Sequence, residues 1–507
     1  MATTFSYSRR AFSSVPERRV GARGLHGLAS VPVGRVPSHG VGPAAVSRRG
    51  MERPISIYSF GGLLLLHMVL ARVEKGHALL VMLHGLAALG AALLYGTNPR
   101  HPKRTIQAVA YICGAEVLWH MCARSGALPW EFGKYAIVMV MFVAILRRGQ
   151  VSWLPLLYFA LLLPSVALTL FQLDVFSARE AVSASLSGPL AIAASLAFMS
   201  QVKLSRQQAC NALLCFIVPL AGVAFLCYAG TFGASAVSFG SSSIKAASGG
   251  FGPNQVSAAL GFGILCALFC LLAEKGRLPL KGLLLLLILW FGVQSGLTFS
   301  RTGLYLAGLC AFAGALPLLR NPRARLTVSA LATTAYVVAH FAILPLLDHF
   351  TGGAFQARFE NKSLTHRDVL MTQQMQIWIS HPVLGVGAGV IDSASSSLEY
   401  RAHTEYTRLL AEHGVFGFAA LIILLACVYR GFRQARTPYA KAFCLAMASF
   451  GLLFMAVSAT RLAVVALAIG FASLRVIPEY RPARKPIPRL PCVPHPRPRL
   501  AGATVAG

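Results

Sequence analysis

The chain has 507 residues, of which 56% are hydrophobic and only 12% charged, and its formal net charge is +30. Soluble domains carry about a quarter charged residues, so a water-soluble fold is excluded, as is an outer-membrane barrel, whose short alternating strands are absent. The basic residues are spread through short connections and two tails rather than gathered on one face, so no nucleic acid is expected as partner; attraction to anionic membrane lipids accounts for them.

Residues 1–50 are rich in Arg, Ser, Gly and Val and nearly free of acid. They lack the apolar stretch of a secretory signal. A disordered basic N-terminal tail is expected, with an organelle transit peptide or sequence upstream of the true start as the other readings. Met51 is a sensible start, since an apolar helix follows directly.

A polytopic all-α membrane domain is predicted over 51–477. Its helices are predicted at 55–71, 77–96, 106–123, 135–146, 152–171, 186–200, 209–230, 255–273, 280–296, 303–319, 326–346, 410–429, 439–457 and 462–476. Runs such as 154–170, 209–230 and 282–293 are apolar on every side, as lipid or a bundle interior requires. That makes about fourteen crossings.

Alternate connections are short and basic: TNPRHPKR, RRGQ, QVKLSRQQ, EKGRLPLK, RNPRAR and YRGFRQARTPYAK. Short basic loops stay in the cytoplasm, so the connections between them, RVEKG through SATR, fall outside, and both termini are cytoplasmic. Residues 478–507 alternate Pro with Arg and are expected to form an extended, disordered cytoplasmic tail. Ten of the eleven cysteines stand singly in apolar segments, without metal or disulfide spacing; Cys266 and Cys270 fit two small residues on one helix.

The connection at 348–409 is far longer than a helix-to-helix link needs. Within it, 366–379 reads as an amphipathic helix suited to the outer membrane surface, with Val369, Leu370, Met375, Ile377 and Trp378 as apolar positions. HPVLGVGAG follows. Its glycines suit turn geometry, because the strand and helix of a dinucleotide loop are missing.

Cations also accumulate on the outer side, where arginine is disfavoured: Arg301 in TFSRT, then Arg358, Arg367, Arg401 and Arg408, with His403. Arg301 either snorkels to headgroup phosphates or holds a phosphate or diphosphate with its planar fork. His403 sits in the densest polar cluster and suits a base for an acceptor hydroxyl. Asp392, Glu399, Glu405 and Glu412 are near it in sequence, and Glu399 or Glu405 can orient His403 or serve as the base. No metal site is expected.

Four segments over about 249–430 resemble the O-antigen ligase and O-antigen polymerase superfamily of bacterial polysaccharide-biosynthesis membrane proteins. They are GGFGPNQVSAALGFG, LTFSRTGLYLAG, HRDVLMTQQMQIWISHPVLGVGAG and HTEYTRLLAEHGVFGF. YICGAEVLWHM, PWEFGKYA and SLSGPLAI are similar to the polysaccharide-polymerising members. One departure is His403-Thr404, where many members have His-Asn.

The resemblance implies an enzyme of the bacterial inner membrane. It would transfer glycan from a polyprenyl diphosphate-linked oligosaccharide to a sugar hydroxyl on a glycan or lipid-core acceptor, at the periplasmic face. Arg301 and Arg367 would contact the diphosphate and His403 would assist the acceptor, with Arg358, Arg401, Arg408 and Glu405 binding substrate. No cofactor is implied, and chain-length regulator and flippase proteins would be partners. Polymerase is favoured slightly over ligase. The alternative is a lipid-linked glycan flippase or polysaccharide transporter, which places charges at mid-membrane; Glu116 is the main candidate for one.

Overall fold

The computed structural model describes residues 55–123, 128–233, 239–240, 242–274, 276–360, 367–391 and 404–478. They form an all-α bundle of multi-pass membrane type. Among them, ten helices are long and apolar enough to cross a membrane, and two shorter apolar helices, Thr302–Ala315 and Val464–Ser473, accompany them. The two tails, 1–50 and 479–507, lie outside the described residues.

The first half contains α1 (Ile57–Glu74), α2 (Ala78–Ala91, extended by a π turn over Ala92–Gly96), α3 (Pro102–Cys122), α4 (Phe132–Arg148), α5 (Trp153–Ala160), α6 (Pro164–Gln172), α7 (Val175–Met199) and α8 (Arg206–Phe232). The predicted helix at 152–171 is broken into α5 and α6 before Pro164, which cannot donate to the helical ladder. The connection expected before 186 is instead helical. Asp174 caps α7, its Oδ1 accepting from the N–H groups of Phe176 (3.0 Å) and Ser177 (3.2 Å). The predicted loop QVKLSRQQ holds β1 (Lys203–Ser205), and Ser205 and Gln208 form a capping box that starts α8.

The second half contains α9 (Pro253–Ala273), α10 (Leu278–Leu297), α11 (Thr302–Ala315), α12 (Pro322–Val338), α13 (Leu344–Phe350), α14 (Ala354–Glu360) and α15 (Arg367–Ser380). It ends with α16 (Glu405–Gln434), α17 (Pro438–Ser458), α18 (Val464–Ser473) and β2 (Arg475–Ile477). Proline in the first turn opens α3, α6, α9, α12 and α17, where its missing N–H costs nothing. β1 and β2 pair in parallel, Lys203 opposite Arg475. The sequence reading contained no strand.

The core is formed by α3, α7, α8, α9, α17 and α18, all of which are buried over most of their length or along one broad face. By contrast, α12 has no buried residue. A second, smaller cluster of Leu297, Phe299, Leu347 and Phe355 ties α13 and α14 to the turn between α10 and α11.

Candidate functional site

The turn between α10 and α11 is built by hydroxyls. The Thr298 hydroxyl donates to the Ser295 carbonyl (2.7 Å) and accepts from Ser300 N–H (3.2 Å). The Ser257 hydroxyl donates to the Ser300 carbonyl (3.0 Å) and accepts from Gly303 N–H (3.0 Å). Ser300 donates to Asn254 Oδ1 at 2.8 Å. A Cβ on Gly303 would stand 1.8 Å from the Ser257 carbonyl oxygen, so only glycine lets α11 approach α9 this closely. Two of the segments singled out in the sequence, FGPNQVS and TFSRTG, are thus one structural unit.

That unit presents cations. Phe299 is fully buried with φ +58, an unusual conformation for a bulky residue. Its carbonyl accepts from Arg358 Nε at 3.0 Å, which brings α14 onto the turn. Arg301 caps α11 beside it. The Arg358 guanidinium is held below the ordinary arginine range by burial and then by the positive charge of Arg301. The two guanidiniums are therefore within electrostatic reach of each other.

The loop 381–389 explains its glycines by close packing. Val386 N–H donates to the Ala411 carbonyl (3.0 Å), and Gly387 N–H to the Glu412 carbonyl (3.2 Å). Thr169 and Gln172 of α6 donate to the carbonyls of Ala388 and Val386, both at 3.0 Å. A Cβ at Gly385 would fall 2.3 Å from the Glu412 carbonyl carbon. Helix α16 kinks against this loop at Gly414, with φ 59 and ψ −136. The predicted amphipathic helix is α15, opened by Arg367. It packs on the first turns of α16, with Leu370 and Gln374 buried and Thr407 donating to Gln374 Oε1.

Glu405 and Arg408 occupy a different environment. Because α16 starts at Glu405, five residues before the predicted start, both lie inside a helix and are buried. All five guanidinium donors of Arg408 have partners. Nε and Nη2 donate to Glu405 (3.2 and 2.6 Å), Nη1 to Glu412 Oε2 (2.8 Å) and Ser185 Oγ (2.7 Å), and Nη2 also to the Ser185 carbonyl (3.1 Å). Glu405 further accepts from the N–H and hydroxyl of Thr460, both at 3.2 Å. Arg408 is consequently committed to protein groups rather than presented to a ligand.

The network reaches beyond α16. Lys134 of α4 is buried within electrostatic reach of Glu116, Glu131, Glu405 and Arg408. Glu116 Oε2 accepts from Ala463 N–H at 2.8 Å. Lys134, Ser185 and Thr460 were not singled out in the sequence. The spacing Glu405, Arg408, Glu412 on one helical face was a legible signal for the rest.

His403 and Arg401 lie outside the described residues, as do Asp392 and Glu399. Among the described residues no three His, Cys, Asp or Glu side chains are grouped to hold a metal ion. No family model matches the sequence, and no curated protein matches it.

Proposed function

We propose that this chain is a glycosyltransferase of the O-antigen polymerase or ligase type, with about fourteen crossings of a bacterial inner membrane and both termini in the cytoplasm. The observation that carries the reading is the hydroxyl-built turn between α10 and α11, which carries Arg301 and accepts Arg358 of α14 onto its Phe299 carbonyl. A polyprenyl diphosphate is a polyanion whose oxygens the planar arginine forks fit. On this reading 348–409 is periplasmic, and Arg367 at the start of α15 joins the same pole.

The acceptor hydroxyl attacks the anomeric carbon of the donor glycan and gives its proton to His403. The bond from that carbon to the diphosphate oxygen breaks, and the arginines hold the departing charge. Arg401 contacts the acceptor. Glu405 and Arg408 act as positioning residues, since their network fixes the start of α16 directly after His403.

Purified protein reconstituted with a lipid-linked oligosaccharide tests this. Lengthened chains identify a polymerase and transfer to a lipid core a ligase. Arg301→Ala and His403→Ala are expected to abolish transfer in a folded protein, and full activity in both overturns the mechanism. Cysteine at Ser395 should react with an impermeant thiol reagent from outside intact cells; labelling only after lysis inverts the topology.

The buried charges Glu116, Lys134, Glu405, Arg408 and Glu412 favour a second reading, a flippase or transporter. The same vesicles separate the two, because a flippase moves the lipid-linked glycan across the bilayer without making a glycosidic bond.

A further inference from the structure

The connections after α4, α7 and α16 lie far apart in sequence, yet they meet at one end of the bundle, together with β2. Arg430 stands near the opposite end of α16 from Arg408, about 33 Å along the helix. A narrow cleft opens there, and its polar lining includes Ser152, Ser200, Gln201, Arg430, Gln434 and Arg475. Among the described residues no carboxylate lines it beside the two guanidiniums.

The short parallel sheet holds Arg475 in this place. β1 and β2 pair with Lys203 opposite Arg475, and Arg475 N–H donates to the Val202 carbonyl at 3.2 Å. Leu204 and Val476 are buried on one face of the pair, which leaves Lys203 and Arg475 on the other. A third cation therefore stands beside Arg475. Two polar atoms of the lining residues, Arg475 Nε and Ser200 Oγ, are buried and have no hydrogen-bond partner among the described residues. A buried donor left unpaired in this way is costly.

Size and position narrow the ligand. The free space inside is about 20 Å³, room for an oxygen or two but not for a sugar or a nucleobase. Only the anionic oxygens of a ligand can therefore enter, and the rest of it stays outside. The cleft lies at the ends of α5, α7 and α16, all parts of segments long and apolar enough to cross a membrane. Trp153 and Tyr429, next in sequence to Ser152 and Arg430, are 74% and 61% exposed. Exposed indole and phenol rings at the ends of membrane helices sit at the level of the lipid headgroups.

We propose that this cleft holds the phosphate of an anionic phospholipid, contacted by Arg430 and Arg475, while the glycerol and acyl chains stay in the bilayer. Guanidinium forks match phosphate oxygens, and those oxygens give the unpaired donors an acceptor. A headgroup with net negative charge is drawn to a cationic pole at membrane level. The chemistry of a free phosphate is the same, but a lipid is already concentrated at the mouth of the cleft. This site is separate from the arginine turn and does not depend on glycan transfer.

The test uses the full chain in dodecyl maltoside, a detergent without phosphate, and follows thermal unfolding at constant ionic strength. All measurements are made in the Arg301→Ala background, so that binding at the turn between α10 and α11 does not contribute. Dihexanoyl phosphatidylglycerol at about tenfold its Kd is expected to raise the unfolding temperature by about 2 °C. Dihexanoyl phosphatidylcholine, whose choline cancels the charge, should do less. Arg430→Gln should weaken the apparent Kd for phosphatidylglycerol by about tenfold. Arg433→Gln removes the same charge from the same helix end outside the cleft, and should leave that Kd within about twofold. No response to phosphatidylglycerol, or one that the two substitutions weaken alike, overturns the proposal. A response to inorganic phosphate alone replaces the lipid with a soluble anion. If a substitution disturbs folding, native mass spectrometry of the otherwise unaltered chain counts the phosphatidylglycerol it retains. More lipid retained than phosphatidylcholine supports the site, and equal retention refutes it.

Discussion

Arg408 and Arg358 are guanidiniums at the same end of the bundle, held in opposite ways. Arg408 is enclosed by Glu405, Glu412 and Ser185, with every donor used on protein atoms. Arg358 leans on the Phe299 carbonyl beside Arg301, a like charge. The first arrangement neutralises charge and locks helices together; the second brings α14 onto a turn that already carries a guanidinium. Residue type alone does not separate a structural cation from a ligand-binding one.

The largest expected effect breaks the structural side of this contrast. Arg408→Leu leaves Glu405 and Glu412 buried without their cation and should cost about 3–5 kcal/mol, read as thermal unfolding in detergent. Arg301→Ala should leave that unfolding unchanged but lower glycan transfer by about 100- to 1,000-fold in the reconstituted assay. A mutant that loses both stability and activity would erase the distinction. Gly414→Ala is expected to cost about 1–3 kcal/mol by the same unfolding measurement. Its added Cβ would meet the Val383 carbonyl oxygen at 2.4 Å in a backbone conformation that suits glycine. The smallest effect sharpens the ligand side. Inorganic diphosphate at about tenfold its Kd should stabilise the protein by about 1.4 kcal/mol, and should do nothing for Arg301→Ala.

Helices were legible in the sequence wherever apolar runs were long, and their interiors coincide with the predicted segments. Polar starts were not. Residues 175–185 and 405–409 read as loops because Ser, Arg, Glu and Thr dominate them, yet both are helical and carry Ser185, Glu405 and Arg408. The strands β1 and β2 are three residues each and pair across most of the chain, beyond any local pattern. Arg301 stood out, with Arg358, because arginine is disfavoured in connections read as external. That Arg358 closes onto the same turn became visible only through the fold of α14.

Helix α18 illustrates a matter of timing. Ala463, just before it, supplies the N–H that donates to Glu116 Oε2 and the carbonyl that accepts from the Cys113 thiol, and β2 beyond it closes onto β1. A ribosome finishes these partners long after α3 has been made. Until then Glu116 is without this backbone donor. The contacts of α3 with the region around α18 therefore close only at the end of synthesis.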